Sequence, residues 1–69
     1  MKEEIARSLM TLAISMDAIL QKMIAEIDNI SDTPTKVLLK KAVEDTLLNI
    51  TVGVIFPIEK KFPHLNPDL

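Results

Sequence analysis

Six residues in the middle of the chain, NISDTP at positions 29–34, combine the end of one helix with the start of another. Pro34 suits the first position of a helix, and Asp32 or Thr33 can cap the free backbone N–H groups there. Roughly two to four residues are left to connect the helices, and a connection this short makes neighbouring helices antiparallel. The chain is therefore predicted to be an all-α helical hairpin, with one domain over residues 1–69.

The first helix is predicted over residues 2–30 from a heptad pattern of large apolar side chains. These side chains follow spacings of four and three: Ile5, Leu9, Leu12, Met16, Ile19, Met23 and Ile30. Glu26 interrupts the pattern, and it is expected to reach water or to pair with Lys22. Glu3 and Arg7 are likewise four residues apart and suited to an ion pair. A flanking set widens the apolar stripe to the width typical of a bundle: Ala6, Ala13, Leu20 and Ile27.

The second helix is predicted over residues 34–56, although its second half has the composition of a strand. The run TLLNITVGVIFPI at positions 46–58 is rich in β-branched residues. A helix is preferred because a four-three spacing continues through this run and no other segment alternates to supply a partner strand. The residues with that spacing are Val43, Leu47, Ile50 and Val54. Pro57 is expected to end the helix at Phe56. Residues 57–69 are predicted to be a proline-rich tail, in which Pro57 can open a short helical turn through Lys61.

The chain has more large apolar side chains than two helices can bury against each other. Six lie off the main stripes: Met10, Ile14, Ile24, Leu48, Val52 and Ile55. A chain of 69 residues has a marginal core, and the absence of cysteine excludes support from disulfides. We therefore predict a symmetric homodimer that forms a four-helix bundle. The alternative is that a different protein covers the second apolar face.

Small residues on the second helix predict a close approach by a neighbouring helix. They recur at helical spacing: Ala42, Thr46, Asn49 and Gly53. Gly53 costs a helix interior about 1 kcal/mol relative to alanine, and close contact would offset that cost. A buried Asn49 would fix the register of the helices. The predicted interface comprises ten residues: Leu9, Leu12, Met16, Ile19, Met23, Leu47, Asn49, Ile50, Gly53 and Val54.

The tail carries three apolar residues that are predicted to anchor it: Phe62, Leu65 and Leu69. They either fold back onto the end of the bundle near Ile55 and Phe56 or reach a neighbouring molecule. Folding back is favoured, because exposed phenylalanine and leucine side chains are costly in so small a protein.

No catalytic, metal-binding or nucleotide-binding pattern is recognisable in the sequence, and no cofactor is expected. The one histidine, His64, has no second ligand or catalytic partner near it, and one glycine cannot form a phosphate-binding loop. A net charge of −2 disfavours nucleic acid as a partner. The longest uncharged run is shorter than the about 20 residues that a membrane helix needs, so we expect a cytoplasmic protein without a membrane partner.

These features favour a non-enzymatic protein–protein interaction module. We expect a homodimeric helical bundle that acts as a regulator or adaptor. The alternative is a subunit whose second apolar face binds a larger enzyme or a small hydrophobic ligand.

Overall fold

A computed structural model describes residues 1–65 of the chain, and every element within them is helical. Helix α1 spans Glu3–Ile27 and helix α2 spans Thr33–Ile50. A π-helical segment, Thr51–Ile55, leads without a break into α3, Phe56–Lys61, and a single 3-10 turn follows at Pro63–Leu65. Helix α1 contacts both α2 and the π-helical segment, so the predicted all-α helical hairpin is confirmed.

The turn between α1 and α2 is closed by backbone hydrogen bonds and by charge. Helix α1 ends at Ile27 rather than at the predicted residue 30, because the next residues form tight turns: the N–H of Asn29 donates to Glu26 O, and that of Ile30 to Ile27 O. The Asp28 carboxylate then meets Lys40 Nζ at 3.5 Å. This ion pair joins the end of α1 to the side of α2.

Helix α2 begins one residue before the predicted Pro34. Asp32 occupies the N-cap position, but its carboxylate does not accept a backbone N–H as predicted. The Thr35 hydroxyl donates to Asp32 Oδ2 at 2.6 Å instead. Asp32 is therefore the cap of the two candidates, Asp32 and Thr33, but the predicted hydrogen bond is absent because the Asp32 carboxylate accepts from the Thr35 hydroxyl.

The prediction that helix 2 ends at Phe56 is wrong, since the helical backbone continues through Pro57 to Lys61. In a regular α-helix the proline ring would collide with the carbonyl four residues earlier, that of Gly53. The π-helical segment covers this turn, and the Phe56 N–H donates to Thr51 O, five residues back. The wider turn accommodates the proline. Pro57 does begin a short helical stretch through Lys61, as the sequence allowed.

The buried side chains form two clusters at opposite ends of the hairpin. The turn cluster consists of Leu20, Ile27 and Val43, with Ile24, Ile30 and Leu47 packed against it. The end cluster consists of Ala6, Met10 and Ile58, with Val54, Ile55, Phe62 and Leu65 packed against it. Ile55 was predicted to lie off the main stripe. The π-helical segment directly before α3 rotates this part of the chain relative to a regular helix, and Ile55 contacts the core.

Helix α1 faces α2 with a different side from the one its heptad pattern suggests. Its buried residues are Ala6, Met10, Ala13, Leu20 and Ile27. All five directly follow a heptad position, so the buried side is rotated by roughly 100° from that stripe. The set predicted to be a flank is therefore the contact between the helices. Two alanines on this side let the backbones approach closely, which favours it over the bulkier heptad residues.

Candidate functional site

Six large apolar side chains of α1 remain uncovered along one side of the hairpin. This apolar stripe consists of Ile5, Leu9, Leu12, Met16, Ile19 and Met23. Each is between 40% and 62% exposed. Its residues recur at heptad spacing, so they form a continuous stripe along nearly the whole of α1. The stripe adjoins the side of α1 that contacts α2. Contiguous apolar surfaces of this kind occur where proteins contact other proteins, membranes or ligands.

Near the hairpin turn, the stripe forms one wall of a groove between α1 and α2. It has a volume of about 520 Å³. The stripe supplies Ile19 and Met23 to its walls, and α2 supplies Leu39 and Ala42. Lys22 and Glu26 lie at its edge, and Ile27 and Val43 of the turn cluster form its floor. The groove can therefore accept apolar side chains from another molecule while its edge offers one charge of each sign.

The ten predicted interface residues separate into two groups in the structure. Seven are exposed: five in the apolar stripe (Leu9, Leu12, Met16, Ile19 and Met23) and two on α2 or the π-helical segment (Asn49 and Gly53). Leu47, Ile50 and Val54 are half-buried inside the hairpin. The prediction did not include Leu39, which lines the groove and is exposed. Leu39 lies one helical turn before Val43, and this spacing is the sequence signal that could have identified it.

Gly53, in the π-helical segment, has no close neighbour among the residues that the structure describes. A Cβ atom built on Gly53 would meet nothing within 4 Å among the residues described. The close helix contact predicted at Gly53 is therefore not made by α1, and the space beside this glycine is open.

Charged groups around α1 are only partly paired. The predicted pair of Glu3 and Arg7 is present, with Arg7 Nη2 3.4 Å from Glu3 Oε2. Within residues 1–65, neither Lys22 nor Glu26 takes part in an ion pair, and Glu26 is exposed to water, the first of its two predicted alternatives. Both charges at the edge of the groove are thus available to a partner.

The start of the tail folds against the open end of the hairpin. Phe62 and Leu65 pack on the end cluster. His64 Nε2 lies 2.6 Å from Glu3 Oε1, which connects the tail to the first turn of α1. The third predicted anchor, Leu69, lies outside the described residues.

Helix α1 is also long and apolar enough to cross a membrane, by length and composition only. Only 17% of the apolar window in this helix is buried inside the hairpin. Asp17 and Lys22 stand within the helix, and a charged side chain near a bilayer centre costs about 2.5 kcal/mol or more. Asp17 and Lys22 therefore disfavour a position of α1 across a bilayer.

Among residues 1–65, no group of histidine and acidic side chains is arranged to hold a metal ion.

Comparison of the chain with protein-family models, with curated proteins and with solved structures finds no match.

Proposed function

We propose that this protein is a non-enzymatic protein–protein interaction module that associates with itself through the apolar stripe of α1 and acts as a regulator or adaptor. The observation that carries the proposal is the continuous exposure of six large side chains on one helix of a hairpin. Their heptad spacing is the pattern with which helices pack against other helices. A second hairpin supplies such helices.

The accessible surface area of the chain supports a second hairpin as the partner. The accessible surface is 5096 Å², whereas a compact monomer of 7.7 kDa exposes about 4300 Å². The chain therefore exposes about 800 Å² more than its mass requires, in keeping with its elongated dimensions of 46 × 19 × 16 Å. A standard protein–protein interface removes about 800 Å² from each partner. Covering one long side of the hairpin would account for the excess.

The groove supports a second candidate function, the binding of a small hydrophobic ligand. Its volume of about 520 Å³ lies within the range of ligand pockets, about 300–1,000 Å³. A ligand there would contact Ile19, Met23 and Leu39, but it would leave Ile5, Leu9 and Leu12 exposed. Self-association covers all six residues of the stripe, and for that reason we prefer it.

Light scattering on the purified chain tests the proposal. We expect a mass of about 15 kDa, twice the 7.7 kDa of the chain. Ile19→Asp should reduce it to the monomer mass, because it places a carboxylate in the middle of the stripe, while the helical circular dichroism signal remains. A monomer at all accessible concentrations would contradict self-association.

Leu48→Asp is the matched control. Leu48 is 59% exposed and Ile19 is 57% exposed, so the two substitutions disturb the hairpin itself to a similar degree. Leu48 lies on α2, outside both the stripe and the lining of the groove. The Leu48→Asp variant should keep the wild-type mass. If both variants had the monomer mass in solution, the association would not depend on the stripe.

A further inference from the structure

We propose that two copies pair with their α1 helices antiparallel across a twofold axis, so that Lys2 of each copy meets Glu26 of the partner subunit. The inference rests on the self-association proposed above and specifies its register. It follows from the spacing of the stripe, from the charges at its ends and from the shape of the groove.

The spacing of the stripe defines the register. In an antiparallel pair of identical helices, the numbers of two facing residues have a constant sum. Centring the stripe between Ile5 and Met23 makes this sum 28. Every residue of the stripe then faces another member of it: Ile5 faces the partner's Met23, Leu9 faces the partner's Ile19, and Leu12 faces the partner's Met16. No large side chain of the stripe is left opposite a polar one.

The same register brings opposite charges together at both ends. Glu26 is the charged residue within the heptad pattern, and Lys2 occupies the next heptad position before Ile5. Their numbers also add to 28. Both residues are exposed, and neither has an ion-pair partner within the part of the chain that is described. The twofold axis repeats the contact, so the dimer gains two such pairs.

A second contact of the same kind flanks each of these pairs. On a helical wheel, Glu4 and Lys22 project from the same flank of α1, adjacent to the stripe. In the antiparallel register Glu4 lies within about one turn of the partner's Lys22. A parallel pair would instead place Glu26 against the partner's Glu26 and Lys22 beside the partner's Lys22. Like charges directly opposite one another destabilise a helix pair, so the charges favour the antiparallel arrangement.

The groove near the hairpin turn is complementary to the other end of the stripe. Its walls contain Ile19, Met23 and Leu39. The register places the partner's Ile5 and Leu9 over these residues. Both are exposed in the hairpin and project from the first half of α1. The first half of each stripe does not line the groove of its own copy, and it therefore fills the groove of the partner subunit.

Disulfide cross-linking of single-cysteine variants tests the register, because the chain has no cysteine of its own. Ile5→Cys and Met23→Cys are prepared separately, and their masses under reducing conditions are measured by light scattering. We expect each variant alone to give little covalent dimer on oxidation. A one-to-one mixture, after subunit exchange, should give the mixed covalent dimer as the main product. Gln21→Cys, on an exposed part of α1 outside the stripe, mixed with Met23→Cys is the control and should give none.

The outcomes separate this inference from the proposed function. Efficient cross-linking of Ile5→Cys alone or Met23→Cys alone would show a parallel pair and would overturn the register while leaving self-association intact. A monomeric mass for the wild-type chain would overturn both. A monomer that co-sediments with phosphatidylcholine vesicles, and loses this binding on Ile19→Asp, would overturn both and identify a lipid surface as the occupant.

Charge reversal provides a measurement that needs no cysteine in the stripe. Lys2→Glu and Glu26→Lys each replace two attractive contacts per dimer with repulsive ones, and each should raise the Kd of the dimer roughly tenfold. The double variant restores opposite charges and should return the Kd to near the wild-type value. Lys2→Glu does not weaken the helix, because a carboxylate is favourable at a helix N-terminus. Additive weakening in the double variant would contradict the pairing of these residues.

Discussion

At the scale of single residues, Ala6 determines how closely α1 and α3 can approach. It is 0% exposed and lies in the end cluster beside Met10 and Ile58. Ala6→Leu adds three carbon atoms where no space is available, and we expect it to lower the free energy of unfolding by about 1–3 kcal/mol. Urea denaturation at a fixed protein concentration measures the change.

Ala18→Leu is the control for this prediction. Ala18 lies on the same helix but is exposed, and it lies outside the apolar stripe. The same substitution there should change the free energy of unfolding by no more than about 0.5 kcal/mol. Equal losses in the two variants would mean that the buried position of Ala6 does not limit the contact between the helices.

Which side of α1 faces α2 was not predictable from the size of the side chains alone. The heptad of large residues was predicted to be buried, with Ala6, Ala13, Leu20 and Ile27 as a flank. Alanines let the helix axes approach, and the large residues one position earlier are left outside. The two stripes are adjacent on the helix, and both are apolar. Hydrophobicity therefore identifies both apolar stripes, whereas the contact with α2 determines which of the two is buried.

At the scale of elements, the turn at Leu65 holds the tail on the end of the hairpin. Leu65 is half-buried against the end cluster. Leu65→Ala should lower the free energy of unfolding by about 1 kcal/mol, since roughly half of a leucine side chain leaves an apolar contact. Thermal unfolding followed by circular dichroism measures the loss.

Leu38→Ala serves as the comparison, because Leu38 is 70% exposed on α2 and is not part of either cluster. It should leave the melting temperature nearly unchanged. If Leu65→Ala also had no effect, the start of the tail would contribute nothing to the stability of the hairpin and would be available to a partner.

The existence of the two long helices was predictable, and the ends of the helices were less so. Apolar spacing and the short connection determine that α1 and α2 form a hairpin. The end at Pro57 was predicted from the general incompatibility of proline with a helix interior. The π-helical segment Thr51–Ile55 removes that incompatibility locally, and sequence spacing carries no sign of it. The same segment turns Ile55, which was predicted to lie off the main stripe, toward the end cluster.

At the scale of the whole molecule, the hairpin leaves more large apolar residues outside than inside. Seven residues are buried, two of them alanines, and among residues 1–65 none of the larger side chains is completely buried. Over the same residues, fourteen large apolar side chains are exposed. A chain of this size has a marginal core even when its burial is efficient. The stability of the folded state should therefore depend on association, and it should increase with protein concentration.

The melting temperature is expected to rise with protein concentration by a definite amount. If unfolding is coupled to dissociation of a dimer, each tenfold increase in protein concentration stabilises the folded state by about 1.4 kcal/mol per dimer. For two chains of 69 residues, the typical unfolding entropy per residue converts this into a rise in melting temperature of roughly 5 °C. Differential scanning calorimetry over two decades of concentration measures the slope. Ile19→Asp should abolish the slope, because it removes the association and leaves the hairpin, whereas Leu48→Asp should retain it. A melting temperature of the wild-type chain that does not change with concentration would show that the hairpin is stable alone, and that the apolar stripe is kept exposed for a partner other than itself.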